Sequence, residues 1–313
     1  MKKINFIAIV AVAMVATACS SDDAPVVKSN VNATFSGTIN NVKSRAYNAT
    51  WEAGDAIGII GNTGDMAYFN VKYVTAAGDG NFEVGTAGEE VYYQDNNTTT
   101  FQAYYPWNSI EDPEVTASTA EQANQKAFDF LWAEATGSKA SPKVNFTFGH
   151  KMAKVVLTFK RGDGVWLEEI KESVISLDDI KLAGKLALRN GVASATGEAV
   201  NGWTIGNNSE AAYNAPVVVD EDAETVTYSL IVYPQAFETG LKVNAEIVSY
   251  QTFSAVLDFT AANRNAGDAT PANELVAGRQ YNVNVRLSKT GLVVEGCTIT
   301  DWEVTAAGDF EAK

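Results

Sequence analysis

The sequence predicts an all-β protein made of two antiparallel β-sandwiches in tandem. Three observations carry the prediction. Apolar and polar residues alternate with period two over many short segments, the pattern of strands with one buried face. The connections are rich in Asn, Thr, Gly and Asp, as in Asp95-Asn96-Asn97-Thr98-Thr99. No long amphipathic helix competes; only the short stretches Glu111–Gln125 and Trp166–Glu172 read as helical. A chain of 313 residues has room for one large domain or two ordinary ones.

The first predicted strand is Val31–Ile39, with Val31, Ala33, Phe35 and Ile39 on its apolar side. A polar loop, Asn40-Asn41-Val42-Lys43-Ser44-Arg45, interrupts it. Further strands are expected at Ala56–Ile60, Met66–Val74, Thr100–Tyr105, Lys126–Leu131 and Val144–Phe148. A division near Pro142–His150 leaves each half able to close a two-sheet core. In the second half Ala153, Val155, Leu157 and Phe159 share one face. Val174–Leu177 and Lys185–Leu188 are shorter candidates, and Val226–Val232, Leu241–Ile247 and Tyr281–Leu287 alternate cleanly. Leu292–Thr300 and Trp302–Val304 end the pattern, with Val293, Cys297 and Ile299 read as one face.

Ahead of the strands, Lys2 and Lys3 precede an apolar run, Ile4 to Ala16, that is short for a membrane-spanning helix. It suits a cleaved signal peptide. Ala16-Thr17-Ala18-Cys19 resembles the lipobox of bacterial lipoproteins, which implies cleavage before Cys19 and lipid on its thiol. Ser20-Ser21-Asp22-Asp23 resembles a surface-export signal of Bacteroidota lipoproteins. Cys297, left without an internal partner, reads as a buried small hydrophobe.

The chemistry is sparse. With 23 basic and 38 acidic residues the net charge is -15, which repels nucleic-acid phosphates. A single histidine, His150, excludes a multi-histidine metal site within the subunit and is expected as a hydrogen-bonded residue opening a second-half strand. Gly78-Asp79-Gly80 and Gly162-Asp163-Gly164 lack EF-hand or P-loop register and are read as hairpin turns. The adjacent acids Glu89/Glu90, Glu168/Glu169, Asp178/Asp179 and Glu221/Asp222 do not amount to facing carboxylates. Tyr104, Tyr105 and Trp107, or Trp51 and Tyr47, are either a carbohydrate platform or core aromatics. No catalytic residue, metal or cofactor is expected.

Several motifs, in order, resemble the fimbrillin superfamily of Bacteroidota, the pilins of type V pili and related surface lipoproteins. They are Arg45-Ala46 followed by Trp51-x-x-Gly54-Asp55-x-Ile57-Gly58; Phe101-x-Ala103-Tyr104-Tyr105-Pro106-Trp107; Phe148-x-His150-x-Met152-Ala153-Lys154-Val155; and Gly278-Arg279-Gln280-Tyr281-x-Val283-x-Val285, closing with Ile299-Thr300-Asp301-Trp302. The resemblance implies two transthyretin-like sandwich domains. Residues 1–18 would be the signal peptide and 19–45 a lipidated tether with the first strand. Residues 46–148 would form the N-terminal domain, completed by strand 31–39 before cleavage, and 149–313 the C-terminal domain. It further implies that an arginine-specific protease cuts between Arg45 and Ala46, removing Val31, Ala33, Phe35 and Ile39, and that a neighbouring pilin subunit supplies a strand to the opened groove. Candidate donor contacts are Val293, Cys297, Ile299, Trp302 and Val304. The partners implied are other pilin subunits, the protease, the outer membrane through its lipid, and a host or bacterial surface ligand. Two alternatives stay open: Arg45 as an unprocessed loop residue, and the protein as a monomeric surface lipoprotein that binds carbohydrate or a host ligand.

Overall fold

The computed structural model describes residues 31–39, 50–206, 215–247 and 251–302. Alternation becomes burial most cleanly in Lys143–His150, where Val144, Phe146, Phe148 and His150 are buried and the residues between them are more exposed. Seven of the described strands close into a barrel around such faces. Their order is Lys143–His150, Thr34–Ile39, Asn81–Val84, Met66–Thr75, Asp55–Thr63, Thr99–Tyr105 and Leu131–Gly137. The interior is aromatic, with Phe35, Trp51, Tyr73, Phe82, Phe101 and Phe148 all buried.

The second half is two sheets with one shared apolar core. One runs Val217–Asp220, Thr225–Val232, Ala153–Arg161, Arg279–Ser288 and Gly291–Asp301. The other runs Trp203–Gly206, Val174–Asp178, Leu241–Ile247 and Gln251–Leu257. Val155, Leu157 and Phe159 from the first meet Leu177 and Val243 from the second in that core. The short helix expected near Trp166 is present as Leu167–Glu172, and Glu169 accepts a hydrogen bond from the Trp166 N–H (2.8 Å) at its start.

Two pairings depart from the antiparallel expectation. Thr34–Ile39 lies parallel to Lys143–His150, and Ala153–Arg161 parallel to Arg279–Ser288. In each half an early strand is thus zipped to one from near its end. Parallel neighbours require long crossovers. Period-two alternation reports which face is buried and carries no information on the direction of the neighbour.

A third, three-stranded sheet joins the halves: Val192–Thr196, Ala183–Ala187 and Glu114–Ser118. Beneath it Tyr104, Val115 and Phe130 pack with Met152, Leu186, Ile231 and Tyr233. Here two expectations fail. Glu111–Gln125 is not a helix, since it contains the strand Glu114–Ser118. Lys126–Leu131 is not a strand; a 3-10 helix occupies Gln122–Ala127 and the strand begins at Leu131.

The cause is a side chain standing in for a strand. Val217–Asp220 covers the edge of Thr225–Val232 only from Thr225 to Tyr228. Beyond that point the fully buried Gln122 amide accepts from the Ile231 N–H (2.9 Å) and donates to its carbonyl (3.0 Å). Gln125 donates to the Ser229 carbonyl (2.9 Å). The 3-10 geometry presents both amides to the open ladder. Replacing Gln122 by Ala leaves the Ile231 N–H and carbonyl unpaired in the interior. The expected loss is about 2–4 kcal/mol, from two buried groups without partners. Urea denaturation of Gln122→Ala measures it, and a stability equal to the parent's would refute the edge-capping role.

Candidate functional site

The first strand and its seat form the candidate site. Thr34–Ile39 pairs with Lys143–His150 from Thr34↔Lys143 to Ile39↔Phe148. On its other side only Phe35↔Phe82 and Ser36↔Asn81 register with Asn81–Val84. Val31–Asn32 pairs separately with Tyr92–Tyr93. The Ala33 N–H donates to the Val91 carbonyl (2.8 Å) and the Gly37 N–H to that of Gly80 (2.8 Å). Ser36 donates to Asn145 (2.7 Å), and the Trp51 indole to the Gly37 carbonyl (2.7 Å).

Phe35 is the centre of the seat. It is 3% exposed, with its ring edge-on to Tyr73 (4.8 Å) and Phe101 (5.3 Å) and stacked near Phe146 (5.9 Å). Ala33 is buried beside it, and Val31 and Ile39 are half-buried at the ends. Gly37 is required by a close approach: a Cβ there would stand 2.6 Å from the Phe148 ring. Full burial of a side chain such as Phe contributes roughly 1.5–3 kcal/mol, and edge-on aromatic pairs add to it.

The motifs quoted from the sequence hold this seat together. Trp51 reaches across to the first strand, and Gly54 turns with φ +91°. The buried Asp55 then accepts from the Glu52 N–H (2.8 Å) and the Tyr105 hydroxyl (3.2 Å), and pairs with Lys126 (2.8 Å). Burial, reinforced by the Asp55 charge, holds the Tyr105 hydroxyl far above its usual pKa, so it donates as a neutral group. Gly58 has no Cβ because the Tyr104 ring lies 2.1 Å from where one would be.

At the other end, Gly291–Asp301 is an edge strand, paired among the described residues with Arg279–Ser288 alone. A bulge interrupts its register: Val285 faces Val294 and Asn284 faces Gly296, which leaves Glu295 extra. The reading of Val293, Cys297 and Ile299 as one face is therefore wrong. Val293 is 58% exposed, whereas Val294, Cys297 and Ile299 pack on the core. Burial pushes the Cys297 thiol up to about 12.

Trp302 ends the described chain, 6% exposed, among the apolar side chains beneath the three-stranded sheet. It stacks on His150 at 4.2 Å and 5° between planes, and His150 Nδ1 meets Asp129 at 2.9 Å. His150 thus ends the last barrel strand and does not open a second-half strand. Neither the Asp129 partnership nor the edge-capping glutamines left a periodic signal in the sequence. Cys19, Arg45, Ala46, Tyr47 and Val304 lie outside the described residues.

Of the two readings of the aromatics, core residue holds for Trp51, Tyr104 and Tyr105, which are buried. Trp107 carries the Lys72 ammonium 4.5 Å from its ring centre. Gly78-Asp79-Gly80 is a hairpin turn, with Asp79 accepting from the Asn81 N–H (2.9 Å). Gly162-Asp163-Gly164 instead links a strand to a helix. Among the described residues no three His, Cys, Asp or Glu side chains gather as metal ligands.

A family model described as Fimbrillin-like matches residues 44–302. The chain belongs to the fimbrillin-like family of Bacteroidota surface proteins. It is 31% identical over 275 residues to a Bacteroides uniformis protein named as fimbrium subunit Fim1C, covering 83% of this chain and 82% of that one. A crystal structure named as a cell adhesion protein of Bacteroides uniformis is similar with TM-score 0.65 and 26% identity, covering 87% of this chain and 99% of that one. Another so named, from Bacteroides ovatus, shares the fold with TM-score 0.67 and 23% identity, covering 89% and 100%. Fimbrillin-like proteins are structural rather than catalytic.

Two outcomes follow for the fimbrillin-like seat. Phe35→Ala is expected to lower stability by about 3–5 kcal/mol, as a deleted core ring leaves a cavity. A urea transition unmoved from the parent's would refute its central place. Burial also pushes Tyr73, Tyr93 and Tyr104 up to about 12 from an ordinary 10.0. The native state keeps those protons where the unfolded chain has lost them. Stability is therefore full below about pH 10 and falls as pH rises through about 12. Tyrosinate absorbance from these three appearing only with unfolding is the expected readout, and titration of all three near pH 10 in the native protein would contradict it.

Proposed function

We propose that the chain is a structural subunit of a surface fimbria, assembled by strand exchange after its first strand is removed. The carrying observation is the seat of Thr34–Ile39, a short N-terminal strand whose Phe35 fills an aromatic barrel. Removing it exposes buried apolar surface and the unpaired ladder of Lys143–His150 together, and one incoming strand answers both demands. The family match opens at residue 44, beside Arg45, and leaves the first strand outside it.

In this reading residues 1–18 are the signal peptide and Cys19 carries the lipid in the outer membrane. Residues 19–45 are a propeptide released by an arginine-specific protease between Arg45 and Ala46. Residues 46–148 and 149–313 are two transthyretin-like domains, the first of which the propeptide strand closes. The donor is the chain beyond Trp302, which includes Val304. Peeling Gly291–Asp301 away would break its ladder with Arg279–Ser288 and uncover Cys297 and Ile299, and extracting Trp302 would unstack it from His150. A heterologous contact of this kind does not close on itself and so builds a fibre.

While the chain is uncut, the first strand competes intramolecularly at high effective concentration. Arg45→Ala is expected to stay monomeric after treatment with an arginine-specific protease, whereas the parent forms filaments. Size-exclusion chromatography and electron microscopy measure this. Filaments from uncut Arg45→Ala would refute the gating role. A cut parent that stays monomeric at high concentration would favour the ligand-binding lipoprotein. Cys19→Ala is expected to lose palmitate labelling, and undiminished labelling would refute the anchor.

A further inference from the structure

The outer face of the barrel carries a groove of about 570 Å³. Ile60 and its register partner Gln102 lie along it, with Asn62 and Thr100 beside them. Phe69 and Arg189 also line it. Two local devices build these linings. Between Ile59↔Val71 and Gly61↔Tyr68, Phe69 and Asn70 together oppose Ile60, a bulge. Asn70 takes φ 56° and ties its side chain to the Asn108 carbonyl (2.8 Å) and the Tyr104 hydroxyl (2.6 Å). A bulge re-aims the side chain next to it, and Phe69 stands 41% exposed.

Arg189 comes from the other half of the chain, on the turn between Ala183–Ala187 and Val192–Thr196. That turn is pinned to the barrel. The Trp132 indole donates to the Leu188 carbonyl (2.8 Å), and the Leu188 N–H donates to the Pro113 carbonyl (2.9 Å). Gly191 rests against the Trp132 ring, where a Cβ would stand 2.4 Å away. Arg189 itself is exposed and makes no ion pair or hydrogen bond among the described residues, in a chain of net charge -15. An unpaired guanidinium on a fixed turn, facing an excess of acids elsewhere in its own chain, is set for an external anion.

We propose that this groove binds a carboxylate-bearing pyranose sugar. Phe69 offers a ring to the sugar's C–H face, Asn62 and Thr100 offer partners to its hydroxyls together with the side-chain carbonyl of Gln102, whose amide N already donates to Glu134 (2.9 Å), and Arg189 takes the carboxylate in a bidentate pair. Charge complementarity selects an acidic sugar over a neutral one. The groove lies on the face of a sheet whose strands Asp55–Thr63 and Thr99–Tyr105 are paired on both sides, so it presents no free ladder to an extended peptide. The proposal goes beyond the fimbrial reading and does not depend on strand exchange, because the groove is complete within one subunit.

Calorimetric titration of the purified uncut protein tests it. The probes are tetragalacturonate and 3′-sialyllactose, for the two common sources of sugar carboxylate, with methyl-esterified tetragalacturonate and lactose as neutral controls. At least one acidic probe is expected to bind about tenfold more tightly than its neutral control, the worth of one charge-assisted pair. Arg189→Ala should abolish that difference, Phe69→Ala should weaken acidic and neutral sugars alike, and raising salt from about 50 to about 500 mM should weaken only the acidic one. Both substituted side chains are exposed, and an unchanged urea transition verifies that the variants fold. Absence of binding by both acidic probes, equal binding of acidic and neutral forms, or indifference to Arg189→Ala would overturn the proposal. An oligoglutamate peptide that binds as tightly as the sugar would overturn it in favour of a peptide ligand.

Discussion

The ring of Phe35 touches Tyr73, Phe101 and Phe146, side chains from three different barrel strands, and the barrel depends on that meeting. A strand of six residues could not hold its place by ladder hydrogen bonds alone. Its register on one side is only two pairs long. What fixes it is the apolar area that Phe35 and Ala33 remove from water, with Trp51 bonded to the strand's own backbone. The same interaction makes the strand replaceable in principle. The aromatic seat belongs to the rest of the chain, and any strand that offers an apolar side chain at the Phe35 position meets the same rings.

The two halves face a shared problem at their junction, which they solve with polar side chains inside an apolar cluster. Gln122 and Gln125 complete the open edge of Thr225–Val232, and Asp129 holds His150 beneath Trp302. The buried Gln122 amide is matched to the Ile231 backbone and Asp129 to His150 Nδ1, the condition under which burial is tolerated. The consequence for assembly is that the chain before Trp302 is firmly built into its own subunit. In the proposed assembly, exchange falls to the first strand and the chain beyond Trp302, and the proposed groove of Phe69 and Arg189 on the barrel's outer face takes no part in it.

Strand positions were largely legible. Val144–Phe148, Ala153–Lys160, Val226–Val232, Leu241–Ile247 and Tyr281–Leu287 fall within strands. The motif order from Arg45 to Trp302 was enough for the family. The lapses have physical causes. Glu114–Ser118 and Gln251–Leu257 are short or largely exposed, so their alternation is faint. At Lys126–Leu131, apolar residues at Phe128, Phe130 and Leu131 mimic a strand although Gln122–Ala127 coils. Val293 was placed on the wrong face because one extra residue, Glu295, reverses the phase of alternation within the strand.

By itself the sequence determined the all-β class, the family, and the first strand's apolar side, because period-two alternation and motif order are local properties of the chain. The parallel neighbours of Thr34–Ile39 and Ala153–Arg161, the closure of the barrel and the sheet that joins the halves were decided only in three dimensions. So were the glutamines on a strand edge, Trp302 on His150, and the meeting of Phe69 with Arg189 around one groove. Each of these brings together residues far apart in the chain, and alternation within one segment says which side is dry but not what lies against it.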